Sequence, residues 1–129
     1  MFDVVIIGAG IVGLAIARSI GEITNKSVLV IEKEESFGRG ISSRNSEVIH
    51  SGIYYKPNSL KAKYCALGRD MVYDFCEKND IWHNRCGKLI VGRDHQSEEL
   101  NTLYKNGQQN DIPEIQIIDK NEINKLEPN

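Results

Sequence analysis

Along the amino-terminal part of the chain the apolar positions change period twice. Residues 4–7 (Val-Val-Ile-Ile) are a short β-branched run that stops at a glycine, which predicts a strand ending in a tight turn. Residues 11–23 carry Leu14, Ala15, Ala17, Arg18 and Ile20 in a helix-favouring stretch. Thr24, Asn25, Lys26 and Ser27 break that pattern, and residues 28–31 form a second apolar run ending at Glu32. The expectation is a strand, helix, strand unit of an α/β fold.

Residues 34–59 contain Gly38, Gly40, Gly52, Pro57 and serines on either side of Asn45, without sustained periodicity, and read as loop and short turns. Loops of this length usually carry function. From residue 59 to 79 apolar side chains recur at Leu60, Tyr64, Leu67, Met71, Val72, Phe75 and Cys76, the spacing of an amphipathic helix that Asn58 or Ser59 would cap. Further on, residues 89–91 read as a strand, 97–106 as a helix, 115–118 as a strand and 121–126 as a short helix. Asn129 follows that helix with no closing strand, so the chain reads as cut. By itself it is expected to be inactive and poorly soluble or self-associating, because unfinished sheets leave open edges and bare apolar faces.

Composition narrows the class of protein. With 40% apolar and 26% charged residues in 129, the chain has the makings of one globular core. A net charge of -2 with both signs scattered gives no basic patch, so nucleic acid is not an expected partner, and an acidic substrate would need local cations. The run at residues 4–7 is too short to span a bilayer. Met1, Phe2 and Asp3 lead into it without a basic or arginine- and serine-rich presequence, so the expected compartment is the cytoplasm. Cys65, Cys76 and Cys86 are odd in number and lack a CxxC spacing, which argues against a disulfide framework and a metal site. Cys65 and Cys76, about three helical turns apart, are expected to face the core from one helix.

The strongest chemical signal is Gly8, Gly10 and Gly13, a G-x-G-x-x-G between a strand and a helix. Gly8 allows the tight turn, Gly10 lets a pyrophosphate approach the backbone, and Gly13 lets helix and strand pack closely. The helix amino terminus then offers unpaired N–H groups to phosphate. Glu32 lies 19 residues past Gly13, where a carboxylate can accept hydrogen bonds from both ribose hydroxyls and would repel a 2′-phosphate. The fingerprint points to FAD or NAD and does not separate them.

The segment Asp3-Val4-Val5-Ile6-Ile7-Gly8-Ala9-Gly10-Ile11-Val12-Gly13-Leu14 resembles the opening of flavoproteins of the D-amino-acid oxidase and glycerol-3-phosphate dehydrogenase superfamily, which bind FAD in an extended form. A more specific resemblance lies in Ser43-Arg44-Asn45-Ser46-Glu47-Val48-Ile49-His50-Ser51-Gly52-Ile53-Tyr54-Tyr55-Lys56-Pro57, then Ser59-Leu60-Lys61-Ala62-Lys63, and Cys86-Gly87-Lys88-Leu89-Ile90-Val91. Together these blocks are similar to L-2-hydroxyglutarate dehydrogenases and oxidases, and the similarity runs to Leu126-Glu127-Pro128. Glycerol-3-phosphate dehydrogenases share the serine-rich lead-in and the histidine but follow with Gly-Gly-Leu-Arg-Tyr, from which this chain departs at Ser51 and Tyr54.

The resemblance implies the amino-terminal part of a Rossmann-type two-dinucleotide-binding FAD domain over residues 1–85, with residues 86–129 opening a substrate domain. It implies FAD contacts from Gly8, Gly10, Gly13, Glu32, Lys33, Ser42, Ser43, Arg44, Asn45, Ser46 and Gly52. It also makes His50 the candidate general base, taking the hydroxyl proton as a hydride leaves C2 of L-2-hydroxyglutarate for flavin N5, a task suited to imidazole. Tyr54, Tyr55 and Lys56 would face the substrate, with Lys56 or Arg44 near one carboxylate and the main anchors beyond Asn129. His83 and His95 read as surface residues.

The implied partners are a 2-hydroxy dicarboxylate and an electron acceptor, whether quinone, another acceptor or oxygen, and peripheral membrane association is compatible with them. Three other readings stand beside this one: a related flavoenzyme acting on glycerol 3-phosphate, another hydroxy acid or an amino acid; an NAD-binding module; and a non-catalytic dinucleotide-binding fragment.

Overall fold

The computed structural model describes residues 1–128, which divide into two compact units, one from Met1 to Val48 and one from Ile49 onward. The first holds β1 (Val4–Ile7), α1 (Ile11–Ile23) and β2 (Val28–Ile31). The strands pair in parallel, Val4 opposite Val28 through Ile7 opposite Ile31. Asp3 pins this register at the open end, its carboxylate accepting from the Ser27 amide at 2.8 Å and the Ser27 hydroxyl at 2.6 Å. Those bonds, the hydroxyl's first, hold the Asp3 carboxyl below its ordinary pKa.

At the other end the Gly8 amide donates to the Ile31 carbonyl at 2.7 Å, carrying the ladder into the glycine turn. Helix α1 packs on both strands and half-buries Leu14, Ala17 and Ile20. It stops at Thr24, whose hydroxyl bonds back to the Ile20 carbonyl at 2.7 Å. The alternation of β1 half-buries Val4 and Ile6 and exposes Val5 and Ile7. Parallel strands usually have both faces covered, and here one apolar face is bare.

The second unit holds α2 (Leu60–Lys78), α3 (Ser97–Gln109) and α4 (Lys120–Leu126). Ser59 caps α2, its hydroxyl accepting from the Ala62 amide at 3.2 Å, and Asp119 caps α4 through the Glu122 amide at 2.9 Å. Of the stripe picked out by periodicity on α2 only Cys76 is buried: Leu60 is 71% and Met71 61% exposed, while Ala62, on the side opposite to them, is 3% exposed. The inward face is Ala62, Cys65, Ala66, Arg69, Tyr73 and Cys76, and the small side chains of Ala62 and Cys65 let the loop at Gly52 lie close against the helix. All three cysteines are free, with Cys76 buried and Cys65 half-buried on that face.

Residues 89–91 and 115–118 are not strands, and the one ladder among the described residues joins β1 to β2. A strand needs a neighbour to take its backbone hydrogen bonds. Instead Ile115 is drawn over Gly107 of α3. None of the described helices is long and apolar enough to cross a membrane.

Candidate functional site

In the first unit the fingerprint forms a cradle. Gly8 has φ +101°, a conformation that L side chains rarely adopt. A Cβ on Gly13 would run into the Gly8 carbonyl oxygen and reach 3.3 Å from Ile6 Cγ2, so its close helix-strand contact is real. The first amides of a helix have no intrahelical acceptor. That of Ile11 donates to Ser42 Oγ at 2.9 Å, and a Cβ on Gly10 would stand 3.3 Å from the same oxygen. The loop after β2 therefore returns to the helix terminus, helped by the Gly38 amide donating to the Ala9 carbonyl at 2.9 Å.

Glu32 closes the cradle. Its Oε2 accepts from the Ala9 amide at 2.7 Å, and its Oε1 from the Lys33 and Glu34 amides at 2.8 and 3.1 Å. These bonds, the Ala9 one foremost and the Glu34 one next, hold the carboxyl below the ordinary glutamate range. The unfolded chain binds this proton more tightly, so Glu32 stabilises the fold above the ordinary carboxylate range and loses that contribution as pH falls through its lowered value. A carboxyl-detected NMR titration is expected to give Glu32 a midpoint below the ordinary glutamate range; an ordinary midpoint would break this account of the turn.

The remaining loop candidates turn their polar groups inward on the loop. Ser43 Oγ donates to the carbonyls of Arg39 and Gly40, Arg44 Nη1 donates to Arg39, and Asn45 Nδ2 donates to Ile41 and Ser42. Ser46 is exposed, and Lys33 sends its ammonium outward to Glu34, so its part in the cradle is its backbone amide. Gly8, Gly10, Gly13, Glu32 and Ser42 thus converge, whereas Ser43, Arg44 and Asn45 shape the loop that presents Ser42.

The other two candidates belong to the second unit. His50 is exposed, and its carbonyl accepts from the Cys65 thiol at 3.2 Å. Gly52 is buried, has φ +95°, and would place a Cβ 3.6 Å from Cys65 Cβ and 3.7 Å from the Ala62 carbonyl oxygen. The Tyr55 amide closes the turn onto the Gly52 carbonyl at 3.0 Å. Lys61 and Lys88 place their ammonium groups 4.4 and 4.9 Å from the ring centroids of Tyr55 and Tyr54. Lys56 is exposed.

His95 is exposed, but His83 is not a free surface residue: its ring packs 5.6 Å from that of Tyr73 and its Nδ1 lies 3.0 Å from the Ile81 carbonyl oxygen. The end of α2 draws it there, because Asp80 in a left-handed conformation turns the chain back toward the helix. No cluster of three or more metal-ligating side chains occurs among the described residues.

Asn110 carries a contact that sequence inspection missed. Its Nδ2 donates to the carbonyls of Gly52 at 3.0 Å and Tyr55 at 2.9 Å, across 58 and 55 residues. No local pattern announces so distant a pairing.

The cradle fits the adenosine and pyrophosphate of a dinucleotide: a bare glycine backbone, a helix amino terminus, a serine hydroxyl and a carboxylate at the end of β2. Residues 3–129 match the FAD dependent oxidoreductase family. Among curated proteins, the chain is 44% identical over 127 residues to the mitochondrial L-2-hydroxyglutarate dehydrogenase of Arabidopsis thaliana, covering 98% of this chain and 26% of that protein. It is 46% identical to the Homo sapiens and 43% to the Caenorhabditis elegans protein of the same name, covering 98% of this chain each time and 28% and 30% of those proteins. The chain thus spans under a third of the length of the relatives it matches.

Those relatives are mitochondrial, which overturns the expectation of a cytoplasmic protein. Compartment is encoded in addressing segments separate from the folded domain, and the residues of a dinucleotide fold carry no record of it. The match over residues 3–129, falling on a chain whose glycine turn, helix terminus and Glu32 suit a dinucleotide, shows that this chain belongs to the FAD dependent oxidoreductase family, whose cofactor is FAD.

Proposed function

We propose that the enzyme carrying this chain oxidises L-2-hydroxyglutarate to 2-oxoglutarate. The observation that carries this reading is the alignment of 98% of the chain, at 43–46% identity, with proteins named for that dehydrogenation. Residues 1–85 are its FAD-binding segment, and residues 86–129 open its substrate domain.

Gly8 and Gly10 keep the turn free of side chains for the pyrophosphate, Gly13 lets α1 pack close behind it, Ser42 adds its hydroxyl, and Glu32 receives the ribose hydroxyls. Lys33 contributes its amide, and Ser43, Arg44, Asn45 and Ser46 make up the loop that runs along the cofactor. Bound FAD supplies the acceptor for the hydride leaving C2. His50 takes the hydroxyl proton at an imidazole nitrogen, and Gly52, two residues on, lets its segment pack closely against Ala62 and Cys65 of α2. Lys56 or Arg44 offers charge to one carboxylate, while a dicarboxylate's bidentate anchors lie beyond these residues. The electrons pass on to a quinone, another acceptor or oxygen.

Turnover of the FAD-loaded enzyme with an artificial acceptor tests this. It is expected to give one 2-oxoglutarate per L-2-hydroxyglutarate consumed, with D-2-hydroxyglutarate and glycerol 3-phosphate inert. Preferential oxidation of glycerol 3-phosphate or of another substrate would overturn the assignment while leaving the family in place.

A further inference from the structure

We infer that Asn110 is a positioning residue for His50, acting through the Gly52–Tyr55 turn that follows it, an inference that rests on the reading of His50 as the base. Asn110 is 7% exposed, the one buried polar residue among those described. Its amide nitrogen has two protons and spends both on one turn, donating to the carbonyls of Gly52 at 3.0 Å and Tyr55 at 2.9 Å. The Gly52 carbonyl also accepts from the Tyr55 amide at 3.0 Å, so the turn's closing bond and the Asn110 bond meet on one oxygen.

The end of α3 aims this side chain. Asp111 takes a left-handed φ of +51°, the Ile112 amide returns to the Gly107 carbonyl at 3.0 Å and the Asp111 amide to Gln108 at 3.3 Å, a Schellman closure. Ile112 and Ile115 close over Gly107, which is buried. Asn110 is therefore held at the C-cap of a helix whose end is locked. The opposite side of the turn is held by α2, through the Cys65 thiol on the His50 carbonyl at 3.2 Å and the close approach of Gly52 to Ala62 and Cys65.

His50 and Tyr55 thus bracket a turn clamped from two helices, and its backbone is fixed before any substrate arrives. A general base must stay within hydrogen-bond reach of the proton it removes, and a misplacement of about 1 Å can cost about a hundredfold in rate. Asn110 touches neither the imidazole nor any reacting atom; it acts through the backbone of residues 52–55.

The test is a cycle of Asn110→Asp, His50→Ala and the double variant in the FAD-loaded enzyme, read by anaerobic flavin reduction with L-2-hydroxyglutarate and by backbone amide exchange. Asn110→Asp keeps the shape and puts an oxygen where the donor was; Asn110→Leu is the apolar counterpart should Asp prove too disruptive. We expect Asn110→Asp to slow flavin reduction at least tenfold with FAD retained, and by less than twofold more once His50 is alanine. Amide exchange at residues 52–55 should rise at least tenfold with α3 protected as before. Equal slowing in both backgrounds, or faster exchange confined to α3, would make Asn110 a helix-end residue only and overturn the inference. If His50→Ala alone leaves flavin reduction unchanged, the base assignment falls; unchanged exchange at residues 52–55 in the Asn110 variant would show that the clamp itself is wrong.

Discussion

Replacing His50 by alanine is expected to slow flavin reduction by L-2-hydroxyglutarate roughly a hundred- to ten-thousandfold, the range general-base catalysis contributes. FAD content should stay the same. The imidazole is exposed, and what the residue gives the fold is a backbone carbonyl that accepts the Cys65 thiol, a bond that alanine preserves. The proposed pyrophosphate and ribose contacts belong to Gly10, Ser42 and Glu32, which the substitution does not touch. Rapid-mixing absorbance at the flavin band reads the rate directly. Reduction within about threefold of the unaltered enzyme would remove His50 from the proton transfer, since the smallest general-base contribution is about a hundredfold.

Gly13→Ala is expected to have the second large effect, with a sign opposite to the usual one. Alanine at an interior helix position ordinarily stabilises by about 1 kcal/mol relative to glycine. At Gly13 the new methyl meets the Gly8 carbonyl oxygen, lies 3.2 Å from the Gly8 carbonyl carbon and 3.3 Å from Ile6 Cγ2, and two of those three neighbours are backbone. Relief requires spreading α1 from β1, at about 1–3 kcal/mol for overpacking, and it moves the glycine turn away from Ser42 and Glu32. The variant should unfold at lower denaturant and lose FAD on dialysis. Gly21→Ala in the same helix, where a Cβ meets nothing within 4 Å, should be neutral or slightly stabilising and keep its flavin. Equal behaviour of the two variants would contradict the packing argument.

Where the determinants are local, the sequence was a reliable guide. Residues 4–32 contain their own explanation: the β-branched runs, the polar break at residues 24–27 and the glycines at fixed offsets are read within one short window, and β1, α1 and β2 lie where those signals place them. The cap at Ser59 is local in the same sense.

What depends on distant partners was not legible. Periodicity on α2 picks out its large apolar side chains and cannot tell that the loop at Gly52 packs instead against Ala62 and Cys65. Residues 89–91 and 115–118 have strand-like composition but no neighbouring strand among the described residues. In the loop, composition marks a run of polar residues without showing that Ser42 alone bonds the helix terminus while Ser43 and Asn45 bond the loop itself. Asn110 belongs to the same class, since an asparagine at a helix end has no visible link to a turn 55 residues earlier.

The proposed function requires that electrons leave L-2-hydroxyglutarate for the FAD of the enzyme carrying this chain. Anaerobic mixing of the FAD-loaded enzyme with L-2-hydroxyglutarate, with no acceptor present, tests it most directly. The account predicts loss of the oxidised flavin absorbance with the L isomer and none with D-2-hydroxyglutarate or glycerol 3-phosphate. Flavin that stays oxidised with the L isomer, in a protein that holds FAD, would contradict it.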